Sequence, residues 1–326
     1  MTKVIVPEVG GKQTVVYSLS VRISSCIALL FFSVAATILA EQSKSKDGTY
    51  EYNTFSVPLT VEAVKLMASA VITLYTTKIA DVSKRFSTFS FMSYSVPALC
   101  YFISNNCMFY IIRDLGPTTF QITNNLKLLS TAVLMRLLLS RRLTWLQIKA
   151  LVILFCGSIV TQLNGPGGGE HTPVGSVWFG YVLIFFNAFA AGIGGVYSEK
   201  LLKGTATSDE SIHFQNCQLY FFGVCFGMLS LLTGTSKGSS NLFEGFNPAA
   251  YANIAVLAVC GLLVSFILKY LDNFAKCFVG ALSMIMVGLV QSASTSHYIP
   301  LNLVIGIVLT SIAIEQYSLP QTSSTH

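Results

Sequence analysis

Apolar positions along the chain fall into long runs, not short alternating patches. Ten stretches come close to the roughly 20 largely apolar residues that cross a bilayer as α-helix. They lie at 22–40, 56–77, 90–112, 117–139, 144–163, 175–198, 212–233, 250–271, 275–294 and 299–318. Polar breaks such as "EQSKSKDGTYEYNTF", "NGPGGGEHTPVG" and "TGTSKGSSNLFEGFN" separate some of them, and none is long enough for a soluble domain. The expected fold is therefore an all-α integral membrane protein of ten transmembrane helices, with the lipid bilayer as its surroundings.

A weak internal echo refines this. "RRLTWLQIKALVILFCGSIVTQL" and "HYIPLNLVIGIVLTSIAIEQY" align at an offset of about 153 residues, matching Ser158 with Ser311 and Ile159 with Ile312. Five spans per half is an odd number, so two such halves have opposite topology. Inverted repeats are a recurring transporter design, with the substrate site between the halves near the midplane. The expected organisation is an N-terminal arm at 1–21, a first five-helix half at 22–163, a second at 175–318 and a tail at 319–326.

Composition agrees with the pattern. Only 10% of residues are charged and 53% are hydrophobic, against about 25% charged in soluble domains. The net charge of +6 matters less than its placement. Lys3, Lys12, Arg22, Lys78, Lys84, Arg85, Arg141, Arg142, Lys200 and Lys203 border one side of the predicted spans, and the opposite loops hold few cations. The positive-inside rule then puts both termini in the cytosol. The first 20 residues lack the features of a cleavable signal peptide. No basic, aromatic-interleaved patch points to nucleic acid. The eight cysteines sit in or beside apolar runs without metal spacing and read as small core residues.

The informative residues are polar groups inside apolar runs. A charge at the bilayer centre costs at least ~2.5–3.5 kcal/mol, so such groups face a cavity or one another. Glu62 and Lys65 stand at i,i+3 on one helical face; mutual neutralisation and a cavity wall both fit. Arg136, a turn before "RR", can snorkel to the surface. Lys127 has no acid within a turn, and Lys269 has Ser265 at i−4 and Asp272 at i+3. One such lysine per half suits an anionic solute, whose phosphate two ammonium groups and nearby amides can solvate. Gln121 and Asn124 share the segment of Lys127; "YFISNNCMFY" carries Tyr101, Asn105 and Asn106; "HFQNCQLYFFG" carries Asn216, Tyr220 and Gly223. Amides can read a base edge and tyrosines can stack on a base, although Asn and Gln also link helices in membranes.

The same segments carry a resemblance. "NN" in the third span, "FQITNNLKLLSTAVLMRLLLSRRLTWLQ", "GGVYSEKLLK", "FQNCQLYFFG" and "LKYLDNFAKCF" resemble nucleotide-sugar transporters of the drug/metabolite transporter superfamily, in particular the CMP-sialic acid and UDP-galactose branch and its plant members. The resemblance spans about residues 50–318. It implies a Golgi antiporter, with the ER membrane as the alternative, that exchanges a cytosolic pyrimidine nucleotide sugar for lumenal nucleoside monophosphate. It implies that Asn105 and Asn216 meet base or ribose, that Tyr220 and Gly223 line the nucleotide site, and that Lys127 and Lys269 face phosphate and sugar. Phe120 stands where the family often has Tyr, and Phe222 where animal members often have Ser, so the resemblance leaves the sugar open. The expected substrate-binding set is Tyr101, Asn105, Asn106, Gln121, Asn124, Lys127, Asn216, Tyr220, Gly223, Ser265 and Lys269. No catalytic residue, metal or cofactor is expected; homodimerisation is left open. A drug/metabolite-type exporter of another small organic solute is the competing reading. For amines it predicts an acidic cavity, whereas the isolated intramembrane charges here are basic. A membrane-embedded transferase would need paired acids near a metal, and Glu62, Asp114 and Asp272 are scattered.

Overall fold

The structure, a computed structural model, describes residues 3–5, 15–45, 50–53, 56–76, 87–115, 126–139, 143–162, 177–204, 210–232, 242–294 and 300–318. Two short strands, β1 (Lys3–Ile5) and β2 (Val15–Tyr17), pair antiparallel with Val4 opposite Val16. This hairpin lies in the N-terminal arm, where only a polar extension was expected. The rest is helical: α1 (Leu19–Gln42), α2 (Ser56–Thr76), α3 (Thr88–Ser93), α4 (Ser95–Leu115), α5 (Leu126–Leu138), α6 (Trp145–Gln162), α7 (Val177–Lys203), α8 (Ile212–Leu232), α9 (Pro248–Tyr270), α10 (Asn273–Ser294) and α11 (Leu301–Ser318).

Each predicted apolar run overlaps a helix. Among the described residues, five helices are long and apolar enough to cross a membrane: α1, α2, Trp178–Lys203 of α7, α9, and Asn273–Val290 of α10. The third run differs from expectation, because it breaks at Tyr94 into α3 and α4. Pro97 supplies the reason: it has no N–H to donate and its ring opposes the carbonyl four residues back, on Ser93, where α3 stops.

Local chemistry sets several helix starts. "TWLQ" forms a capping box at α6: the Gln147 amide donates to Thr144 Oγ1 (3.3 Å) and the Thr144 amide to Gln147 Oε1 (3.1 Å). Asn247 Oδ1 accepts from Ala250 N at 2.9 Å with Pro248 at the first helical position of α9. Asp272 Oδ1 accepts from Ala275 N at 2.8 Å and starts α10.

The chain forms two compact units. The first comprises Met1–Ser95 and Leu201–Val279. In it α1 packs on α9, and α2 packs on α8 and α9. Leu29, Ile267 and Val279 make one buried cluster; Val61, Ile254 and Ala258 make another. The α1–α2 and α8–α9 connections are clasped together. Asn247 Nδ2 donates to the Ser43 carbonyl (2.9 Å), Ser43 Oγ and Tyr52 Oη share a hydrogen bond (2.8 Å), and Tyr52 stacks at 4.6 Å on Phe246. Gly245 turns the second connection at φ +77° with Glu51 backbone against it, a conformation and a closeness that exclude a Cβ.

The second unit comprises Val96–Lys200 and Gly280–His326. Its α6 and α11 run antiparallel in close contact: a Cβ on Gly157 would meet Leu309 Cβ at 3.0 Å, and one on Gly306 would collide with Thr161. Ile111, Leu115 and Ile184 join α4 to α7. Large apolar side chains point outward, Trp178 at 82% and Phe186 at 64% exposure, while Asn187 and Ser198 of the same helix are buried. Such an inside-out helix suits lipid.

Candidate functional site

In the first unit the polar residues of α2, α8 and α9 converge. Glu62 and Lys65 form an ion pair at 2.5 Å on one face of α2. Lys65 Nζ also lies 4.2 Å from the Tyr220 ring centroid, close enough for a cation–π contact. Tyr220, 2% exposed, donates to the Gly261 carbonyl (3.2 Å) and shares a hydrogen bond with Ser265 Oγ (2.9 Å). Two glycines make the room. A Cβ on Gly223 would stand 2.8 Å from Glu62 Oε2, and one on Gly261 2.5 Å from Lys65 Cδ. Tyr220, Gly223 and Ser265, expected from sequence, are thus brought together. They are joined by Glu62 and Lys65, which sequence left between two readings, and by Gly261, which it passed over. A lone glycine in an apolar helix gives no signal until its neighbour is known.

Lys269, one turn beyond Ser265, donates to the Glu210 carbonyl (2.8 Å) and to Gln215 Oε1 (2.7 Å). Asp272, its neighbour in sequence, caps α10. Asn216 is 1% exposed and its carboxamide oxygen has no hydrogen-bond partner among the described residues. A buried unsatisfied amide costs on the order of 1–3 kcal/mol, a cost that a hydrogen-bonding ligand removes.

The second unit holds a separate polar group. Tyr101 packs on Gly194, whose Cβ would lie 3.1 Å from the ring, and receives a long hydrogen bond (3.5 Å) from Ser198. Ser104 donates to Asn187 Oδ1 at 2.6 Å. Asn105 is exposed, whereas Asn106 donates to the Phe102 carbonyl of its own helix (2.8 Å). Lys127 sits half-buried near the start of α5, and Ser130 in the next turn donates to the Ala188 carbonyl (2.7 Å). Gln121 and Asn124 lie outside the described residues.

Outward apolar faces and inward lysines, amides and hydroxyls define a multi-pass membrane protein with polar sites on its spanning helices. The family model for nucleotide-sugar transporters matches residues 18–318. CMP-sialic acid transporter 1 of Oryza sativa subsp. japonica is 32% identical over 292 residues, covering 87% of this chain and 89% of that protein. The UDP-galactose translocator of Homo sapiens is 34% identical over 230 residues, covering 70% of this chain and 57% of its own length. A solved crystal structure only 11% identical superposes with a TM-score of 0.70, covering 92% of this chain and 97% of its own, which shows a shared fold. The chain belongs to the nucleotide-sugar transporter family.

Proposed function

We propose that the protein exchanges a cytosolic pyrimidine nucleotide sugar, CMP- or UDP-linked, for lumenal nucleoside monophosphate across the Golgi membrane, by alternating access and with both termini cytosolic. The observation that carries this reading is the pair of polar clusters, each with a lysine expected at phosphate, in a chain whose relatives are named for CMP-sialic acid and UDP-galactose transport. Tyr220, Asn216, Gly223 and Ser265, with Lys269, would hold the nucleotide from one unit. Tyr101, Asn105, Asn106, Gln121, Asn124 and Lys127 would contribute from the other. No bond is broken, so the work of the site is desolvation and charge neutralisation. An empty carrier keeps uncompensated ammonium groups in the membrane, which slows its reorientation and enforces exchange.

Ten spanning helices in two inverted five-helix repeats fit this mechanism. Two antiparallel seams support that reading. The α2–α8 seam is centred near Lys65 and Tyr220, positions 155 apart, and the α6–α11 seam near Gly157 and Thr310, positions 153 apart. Both separations match the offset of the internal sequence echo, as a two-fold axis through each seam requires.

Purified protein in liposomes preloaded with CMP, UMP, GMP or AMP, tested with labelled nucleotide sugars, examines the reading. Uptake driven best by CMP or UMP is expected. Equal uptake into empty liposomes overturns exchange, and preference for GMP overturns pyrimidine selectivity.

A further inference from the structure

We infer that Gln215 is a positioning residue for Lys269, holding its ammonium group ready for the phosphate of the transported nucleotide; this rests on the reading of Lys269 as a phosphate contact. An ammonium group carries three donors. Two of those on Lys269 are committed, one to Gln215 Oε1 at 2.7 Å and one to the Glu210 carbonyl at 2.8 Å. With two directions fixed, the third is fixed too, and Lys269 is only half-buried, so that direction is open to a ligand.

Gln215 can do this because it is itself immobile. It is 0% exposed. Its backbone amide donates to the Ser211 carbonyl at 3.2 Å in the first turn of α8, and the Ser211 hydroxyl accepts from the Phe214 amide at 3.2 Å. Lys203 donates to the Leu271 carbonyl, tying the end of α7 to the end of α9 that carries Lys269. A free lysine loses rotamer freedom when it engages an anion; one already held by Gln215 has lost it beforehand, so binding is tighter. A neutral carboxamide suits this task. It accepts a hydrogen bond without cancelling the positive charge, as a carboxylate at the same place would.

The experiment compares a nucleoside monophosphate with the matching nucleoside on full-length protein in detergent or nanodiscs. CMP and UMP are measured against cytidine and uridine by competition, with melting temperature followed alongside. Gln215→Leu removes the acceptor; Gln215→Glu keeps an acceptor for Lys269 and adds the cancelling charge. Each variant is expected to bind the monophosphate about tenfold more weakly. Nucleoside affinity and melting temperature stay near wild type, so the advantage of monophosphate over nucleoside shrinks. In Lys269→Ala the same advantage shrinks, and adding Gln215→Leu lowers it little further. If Lys269→Ala shrinks the advantage and both Gln215 variants leave it intact, the positioning role is overturned while the phosphate contact stands. If Lys269→Ala leaves it intact, the underlying reading fails. Parallel loss of nucleoside and monophosphate binding together with melting temperature in Gln215→Leu overturns positioning in favour of a packing role. Should Gln215→Leu not fold, Gln215→Glu decides by the same monophosphate-to-nucleoside ratio.

Discussion

Two helix seams in this protein have the same geometry and opposite chemistry. Between α6 and α11, Gly157 and Gly306 let two helices meet backbone to side chain, with Leu309 and Thr161 filling the space. Between α2 and α8, Gly223 opens room for a carboxylate and, from α9, Gly261 opens room for an ammonium stem. In lipid no hydrophobic force joins helices, so close van der Waals packing has to do it. The first seam does that. The second places Glu62, Lys65 and Tyr220 where packing alone would have chosen methyl groups. The difference separates a joint from a site, and glycine serves both.

The largest effect is expected from the lysines. Lys127→Ala should weaken nucleotide binding about ten- to a hundredfold by removing a charge-assisted contact worth roughly 1.5–3 kcal/mol, with the melting temperature nearly unchanged. Equilibrium binding beside a thermal melt checks this, and wild-type affinity would remove Lys127 from the site. The joint should respond the other way. Gly306→Ala forces a methyl into Thr161 and should cost about 1–3 kcal/mol of stability, read as a lower melting temperature; any folded fraction should bind nucleotide normally. The same change in the other seam, Gly223→Ala, meets only the end of the Glu62 side chain. It should leave the melt within a degree or two and reduce exchange about fivefold, on the order of 1 kcal/mol. If the two alanines give the same pattern, the distinction between joint and site collapses. Tyr220→Phe is the subtlest. It removes the hydroxyl from Ser265 and the Gly261 carbonyl at about 1 kcal/mol but keeps the ring over Lys65, so a few-fold rise in KM for exchange is expected and complete loss is not.

The spans were legible because hydropathy is a local property and bilayer thickness sets a fixed length. The Glu62–Lys65 pair was legible for a similar reason, since i,i+3 spacing alone puts both on one face. The break at Tyr94 was signalled by Pro97, but an apolar run read for length absorbs a proline without showing which turn it spoils. What sequence could not show were bonds across helices. Gln215 meets Lys269 from 54 positions away, and Tyr220 meets Ser265 from 45; these pairings exist only once rotation and depth of each helix are set. Asp272, three residues from Lys269, was the partner that spacing suggested, yet its carboxylate is spent on capping α10. The N-terminal hairpin was missed because two three-residue strands are too short for alternation to register.

The clasp between the α1–α2 and α8–α9 connections spans 204 residues, from Ser43 to Asn247. A ribosome adding 5–20 residues per second needs roughly 10–40 s to make that much chain. For that interval α1 and α2 are in the membrane without the helices they finally pack against. The ion pair of Glu62 with Lys65 closes within α2 itself, so the two charges can shield each other through the wait. A residue pair that serves the finished carrier therefore also suits the unfinished one, and separating them by even one helical position would expose a nascent helix to the full cost of a lone charge in lipid.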